Sequence, residues 1–133
     1  MTKKEIIDII SSMEERIGDN NLNSLFVSES RNDNKKIGCN QFRDIAGLCR
    51  EAECCEEIEM LIRYNMAKCI KDASWMATCR NNARFGDIIL DDISKIKDKD
   101  EHNALSNLEL SFGYLYWQAR IWTVQAGSEY SDR

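Results

Sequence analysis

Proline is absent from this sequence of 133 residues, and glycine occurs only six times. Because these two residues enforce most sharp turns, their scarcity favours long helices over many short strands. No segment sustains the alternation of apolar and polar side chains that marks a strand, and no repeat recurs at a fixed period. The length suits one domain. We therefore predict an all-α fold, a single-domain bundle of about five helices over residues 1–133.

Long apolar runs are missing as well. Charged side chains interrupt the apolar positions of residues 1–16, so we expect neither a signal-peptide core nor a membrane span. A cytoplasmic protein without a membrane partner is the resulting prediction. In that compartment the cysteines are expected to be reduced thiols that pack on helix faces rather than disulfides. There are six: Cys39, Cys49, Cys54, Cys55, Cys69 and Cys79.

Residue types that carry catalysis or bind metals are scarce. His102 is the only histidine and lies in a charged run, where an ordinary exposed imidazole is expected. The cysteines lack C-x-x-C pairs, and no glycine-rich phosphate loop exists. Asp91 and Asp92 are neighbours, so on a helix they point about 100° apart and are expected to belong to a solvated face. We predict no enzyme, cofactor, metal site or small-molecule substrate; a cysteine nucleophile lacks an evident general base.

Helical spacing of apolar side chains marks five segments. The first begins with a capping box at Thr2 and ends near Gly18. A stretch rich in Asn, Ser and Asp then predicts a flexible connection over residues 19–36 with at most one short helix. Further helices are predicted over residues 40–53, about 56–74, from 85 into the charged run 97–101, and 103–124, with residues 75–82 either helical or bent and a polar tail over residues 127–133.

Residues 60–86 reverse the charge of an otherwise acidic chain. The whole protein carries a formal net charge of -5, whereas this stretch holds five cations and a single acid, Asp72. On the predicted helix over residues 56–74, apolar side chains share one side and basic ones the other. Cations neutralise a phosphate backbone, and an aromatic ring stacks on any base. We therefore predict a nucleic-acid-binding surface of Arg63, Tyr64, Lys68, Lys71, Arg80 and Arg84.

A second interpretation of the same stretch needs no ligand. In it, Tyr64 covers the edge of the core, and the cations pair with acids of their own helix, as Glu59 and Arg63 would at spacing i, i+4. The other acids within reach are Glu56, Glu57 and Asp72. Both interpretations place the same apolar side chains against the core: Ile58, Ile62, Met66, Cys69, Ile70 and Ala73.

Aromatic side chains crowd the last predicted helix and point to several of its sides. They are Tyr114, Tyr116, Trp117 and Trp122. A helix that is apolar nearly all round is either central to its bundle or docked on a partner. Both remain open for this helix.

Three stretches resemble the small all-α subunit of type III-A CRISPR effector complexes. Residues 37–43, followed by Ile45 and Leu48, are similar to that family's entry into its central helices, with a Gln, an apolar residue and a basic residue in succession. Residues 61–68 resemble its next helix, which carries an aromatic, small residues and a basic residue. Residues 89–97 and 105–116, with Glu109 and the Gly113-Tyr114 pair, resemble its final two helices.

The resemblance implies a structural role rather than catalysis. Members of this family stack in a few copies inside a ribonucleoprotein and touch the backbones of guide RNA and target RNA through basic side chains. By position, Arg43 and Lys68 of this chain match the family's basic sites. The expected partners are guide RNA, target RNA, other subunits of the complex and further copies of the chain.

A different class of function stays open beside this one. The acids of residues 87–101 would suit a small acidic interaction protein that binds a basic partner. Examples of this class are a toxin-neutralising immunity protein and an adaptor. Neither binds nucleic acid.

Overall fold

Six α-helices form most of the fold. The computed structural model describes residues 1–27 and 35–131, and within them the long last helix packs on the first, second, third and fifth helices, most extensively on the third. The predicted all-α, single-domain bundle is confirmed. The helices are α1 (Lys3–Ile17), α2 (Asp19–Leu25), α3 (Asn40–Glu51), α4 (Cys55–Ala67), α5 (Phe85–Lys99) and α6 (Ala104–Ser131).

The first helix follows its sequence signals closely. The Glu5 N–H donates to the Thr2 hydroxyl at 3.1 Å, and the Thr2 N–H donates to a Glu5 carboxylate oxygen at 3.0 Å. This capping box satisfies two backbone donors that the first turn would otherwise leave unpaired. The helix ends before Gly18, whose φ of 91° is a conformation that favours glycine. Its core positions are buried: Ile6, Ile10, Met13 and Ile17.

The predicted connection over residues 19–36 holds more structure than expected. It contains α2 and the strand β1 (Phe26–Val27), which pairs in parallel with β2 (Ile37–Gly38) directly after the connection, with Phe26 opposite Ile37. The sequence pattern did not mark these two strands, because two-residue strands are too short to show an alternating pattern. Residues 28–34 of the predicted flexible connection lie outside the described residues.

An aromatic cluster forms the centre of the core. The Phe26 ring lies 5.8 Å from the Phe42 ring and 5.6 Å from the Phe85 ring, both in edge-on geometry, and it stacks on Trp122 at 5.5 Å. Trp75 completes the cluster at 5.8 Å from Phe42. Edge-on and offset-stacked pairs are the arrangements that ring quadrupoles favour. The cluster joins β1, α3, α5, α6 and the segment between α4 and α5.

The predicted end of the third long helix is wrong. We expected a helix to residue 74, but α4 ends at Ala67 and Lys68 is its C-terminal cap. The cause lies in Trp75, which is almost fully buried and can reach the aromatic cluster only if the chain turns inward after Lys68. Ile70, expected on the core side, is 60% exposed as a result, whereas Ala73 is buried although it no longer belongs to a helix.

The segment of residues 68–84, called here the α4–α5 loop, is bent rather than helical. It contains two short 3-10 helices, Ser74–Met76 and Arg80–Asn82, and an antiparallel bridge between Thr78 and Arg84. Four non-glycine residues have positive φ angles, and Asn and Asp are among the side chains that tolerate this region best. They are Asp72 (61°), Ser74 (53°), Asn81 (61°) and Asn82 (61°).

The last helix continues past its predicted end. We placed the end near Val124 and a polar tail over residues 127–133, yet α6 runs to Ser131; residues 132–133 lie outside the described residues. A single internal glycine costs a helix only about 1 kcal/mol, so Gly127 does not stop it in a chain without proline. The helix is central to the bundle, and it also leaves Trp117 62% exposed.

Asp92 corrects the expectation of a solvated acidic face. Its side chain is 3% exposed, and both of its carboxylate oxygens accept from the Arg16 guanidinium at 2.7 Å. Burial raises the pKa of the Asp92 carboxyl, and the bonds from Arg16 oppose that rise. Asp91 is exposed, as expected, and binds Arg16 and Lys95 at the surface.

Candidate nucleic-acid interface

The outward side of α4 carries cations and an aromatic ring. Ile58 and Ile62 turn the opposite side of this helix into the core, which leaves Arg63 and Tyr64 exposed. Tyr64 is 60% exposed, and the Lys68 ammonium lies 4.9 Å from the centre of its ring. A cation at this distance is attracted by the ring face. One face of the tyrosine is thus electropositive, and the side chain is available to stack on a base.

Lys71 joins this surface although it lies beyond the helix. It lines a groove together with Arg63 of α4, and Met66 and Leu90 form apolar parts of the same groove. Asp87 of α5 is the acid at its edge. We call Arg63, Tyr64, Lys68 and Lys71 the α4 face. The sequence analysis grouped these four residues correctly but placed Lys71 in the helix, which was predicted too long. Lys71 reaches this surface because the loop turns back toward α4.

The cations of the α4 face have acids nearby, and the charge of Lys71 is one of the lesser causes that lower the pKa of Asp72. Among the described residues, no ion pair includes Arg63, Lys68 or Lys71. The acids that could have paired with them are used elsewhere: Glu56 binds Lys97 at 3.2 Å, and Asp72 binds Arg84. Glu57 accepts instead from the Glu53 N–H at 3.0 Å. The interpretation that these cations pair within their own helix does not describe this structure.

Arg84 has a different environment from the α4 face. Its guanidinium is half-buried and donates to the Asp72 carboxylate, to the Met76 carbonyl at 3.0 Å and to the Thr78 hydroxyl at 2.9 Å. The bond from Arg84 is the main cause that lowers the pKa of the Asp72 carboxyl. These bonds cross-link the α4–α5 loop, so Arg84 holds the loop's shape.

Arg80 and Arg43 lie apart from the α4 face by their contacts. Arg80 is exposed and lines a second groove with Arg16 and the acids Asp87 and Asp91. The Arg43 guanidinium lies 5.3 Å above the ring of Tyr116 on α6. Each is thus a separate surface cation, and neither enters an ion pair among the described residues.

The sequence-based prediction missed two further cations, which border the α4–α5 loop. Lys35 and Lys36 line a cavity with Asp72 and Thr78 of the loop. The Lys35 carbonyl accepts from the Ser74 N–H at 2.8 Å, which fixes this part of the chain against the loop. The adjacent lysines were a signal in the sequence, but they lay in a stretch that we interpreted as a connection.

Three of the six thiols are poorly suited to nucleophilic chemistry. Burial raises the pKa of Cys49 to about 12 and that of Cys79 to about 11, and it raises the pKa of Cys55 as well. A thiol is a nucleophile only as the thiolate, so these side chains are neutral at ordinary pH. No group of three metal-ligating side chains occurs within the described ranges, 1–27 and 35–131. Nor is any helix in those ranges both long and apolar enough to cross a bilayer.

Three of the six acids of residues 87–101 form ion pairs within the described part of the molecule. Asp91 and Asp92 bind Arg16, while Asp100 binds the amino group of Met1 at 3.0 Å. The pKa of Asp100 is lowered to about 2, chiefly by that amino group. The other three, Asp87, Asp98 and Glu101, are exposed and enter no ion pair among the described residues, so part of this acidic charge stays available to a basic partner.

Fold and surface together define an all-α domain with a basic, aromatic-containing face whose cations form no ion pair among the described residues. No family model matches this chain, and neither a curated protein nor a solved structure matches it. The resemblance to the small subunit of type III-A CRISPR complexes therefore stays a prediction, and its support must come from the residues of this chain.

Proposed function

We propose that this protein is a non-catalytic, RNA-contacting subunit of an RNA-guided effector complex of the type III-A CRISPR kind. In this role it acts in the cytoplasm, stacks in a few copies and lies along the backbones of guide RNA and target RNA. The observation that carries the proposal is the α4 face. This surface combines cations that have no ion-pair partner among the described residues with an exposed aromatic ring, against which one of them, Lys68, lies.

The geometry of the α4 face suits a nucleic-acid backbone. Arg63 and Lys71 line one groove, where their charges can neutralise successive phosphates. Tyr64, with Lys68 against its ring, offers a surface on which any base can stack. Such interactions read no sequence, so pairing between guide and target would supply specificity. Removing one cation that neutralises a phosphate would reduce the salt dependence of binding by roughly 0.7 to 0.9 in log–log slope.

The outer side of α6 supports an assembly with other subunits. Trp117, Ile121 and Val124 are exposed at spacings of four and three, which places them on one side of the helix. Exposed apolar patches of this kind mark protein contact sites. Neighbouring subunits, further copies of the chain included, are the partners that the proposal assigns to this side.

The first experiment purifies the tagged protein from its own host and sequences whatever RNA accompanies it. Short RNAs of uniform length, in a complex of several proteins, are expected. A single basic protein without RNA would instead indicate the acidic interaction module and end the proposal.

The second experiment reverses one charge on the α4 face. Lys68→Glu should lower RNA retention by the assembled complex about tenfold, because it removes an attraction and adds a repulsion. The matched control is Lys3→Glu, an equal charge change at an exposed position of α1. Equal retention by both variants and the unaltered protein would contradict the proposal.

A further inference from the structure

We propose that a cavity between α2, the two residues that precede β2 and the α4–α5 loop binds a single ribonucleotide unit. The cavity has a volume of about 390 Å³, within the range of roughly 300 to 1,000 Å³ typical of small-ligand sites. It is distinct from the groove of the α4 face, since the two share no lining residue. The chain passes from one to the other between Lys71, which lines the groove, and Asp72, which lines this cavity. The choice of a nucleotide rests partly on the proposed RNA-contacting function.

The wall of the cavity combines an apolar floor with a polar rim. Its buried members, Leu25 and Cys79, are apolar, and Ala77 beside them is half-buried. Its more exposed members are polar or charged, and they include Ser24 and Thr78. This arrangement suits a flat base inside and a sugar phosphate at the opening.

The charge of the cavity favours an anion. Lys36 lines it and makes no ion pair among the described residues. The carboxylate of Asp72 is the acid in the lining, and its charge is offset by Arg84. Because burial keeps the Cys79 thiol neutral, with a pKa of about 11, the floor adds no negative charge. A phosphate would therefore be drawn to the lysine side of the rim.

The remaining hydrogen-bonding capacity fits a ribose or a base edge. Asn21 donates its amide N–H to the Ile17 carbonyl at 2.8 Å, which leaves its side-chain oxygen able to accept. Ser24 donates its hydroxyl to the Asn21 carbonyl at 3.1 Å and likewise keeps an oxygen that can accept. Sugar hydroxyls and exocyclic amines are donors that match these acceptors.

The test titrates the full chain with 5′-AMP, with adenosine and with the RNA pentamer r(A)5, and follows backbone amide resonances by NMR. Saturable shifts are expected at Ser24, Ala77 and Thr78, and adenosine should bind more weakly because it lacks the phosphate. If both 5′-AMP and r(A)5 reach these residues, the cavity accepts a free nucleotide. If r(A)5 alone does so, the bound unit belongs to a strand. Either result supports the inference.

Two variants probe the cavity in different ways. Lys36→Glu reverses the charge at the rim, and Ala77→Phe fills the space; each should weaken binding about tenfold, which corresponds to about 1.4 kcal/mol. Lys3→Glu is the matched control and should leave binding unchanged. Should Ala77→Phe fail to fold, as judged by circular dichroism, Lys36→Glu alone decides the question.

Three outcomes overturn the inference: no saturable shift with any ligand, shifts confined to the α4 face, or equal weakening by Lys36→Glu and Lys3→Glu. The proposed function fails separately. If Lys68→Glu leaves RNA retention intact while 5′-AMP still fills the cavity, only the RNA-contacting role of the α4 face is rejected. If retention falls as expected but the cavity stays empty, only the nucleotide site is rejected.

Discussion

The cations on the α5 side of the bundle and those on the α4 face have the same chemistry but different surroundings. On the α5 side, Arg16, Lys97 and Lys99 each bind a carboxylate of another helix, and the Lys99 distance to Glu5 is 2.8 Å. On the α4 face, the cations are without such partners among the described residues. Paired charges join helices and cancel each other's field, whereas unpaired ones project their field into solvent. Pairing therefore distinguishes the cations that join helices from the cations of the α4 face, to which we assign RNA binding only as a proposal.

The largest expected effect on stability comes from breaking the most buried ion pair of the α5 side. Asp92→Ala removes the carboxylate that binds Arg16 and should lower the free energy of unfolding by about 2 to 4 kcal/mol, since it leaves a partly buried guanidinium without its main partner. Urea denaturation measures the change. Asp98→Ala, an exposed position on the same helix, is the control and should change it by less than about 0.5 kcal/mol. Similar losses in the two variants would show that pairing on the α5 side does not stabilise the fold.

A smaller effect is expected at the border between the two regions. Arg84→Ala removes bonds to Met76 and Thr78 inside the α4–α5 loop and should cost about 1 to 2 kcal/mol of stability. Lys71→Ala, which removes a cation of the α4 face, should cost less than about 0.5 kcal/mol. Thermal unfolding compares them. A lower stability of Lys71→Ala than of Arg84→Ala would contradict the distinction between stabilising paired cations and unpaired surface cations.

The smallest expected effect concerns acid pH. The bond from Lys99 and the capping box lower the pKa of Glu5 from 4.5 to about 2. A lowered pKa contributes stability that is present above pH 4.5 and lost as the pH falls toward 2. Denaturation midpoints measured from about pH 7 to about pH 2 should therefore decrease as the pH drops through this window. Glu5→Gln should make that decrease smaller. An unchanged acid profile in the variant would show that this surface pair contributes nothing measurable.

Local signals predicted much of the fold. The capping box at Thr2 and the spacing of Ile6 and Ile10 act within a few residues, so they predicted α1 correctly. The charge reversal over residues 60–86 likewise identified the exposed cations of the α4 face. These features depend on neighbours along the chain.

Features that depend on distant partners could not be found this way. The helical pattern continues through Ile70, yet the burial of Trp75 against Phe42 ends the helix early. Asp92 is buried because Arg16, on another helix, reaches it. Whether Arg63 and Arg84 are paired or unpaired also depends on which acids the fold brings near, and the sequence alone offered both possibilities.

The three tryptophans are placed so that their fluorescence can report on different events. Trp75 and Trp122 are buried in the aromatic cluster, and their indole N–H groups donate to Gln41 at 3.1 Å and to Glu14 at 3.2 Å. Trp117 is exposed on the outer side of α6, where a collisional quencher such as acrylamide can reach it. The unmodified chain thus carries one emitter that senses coverage of its surface and two that respond when its interior opens.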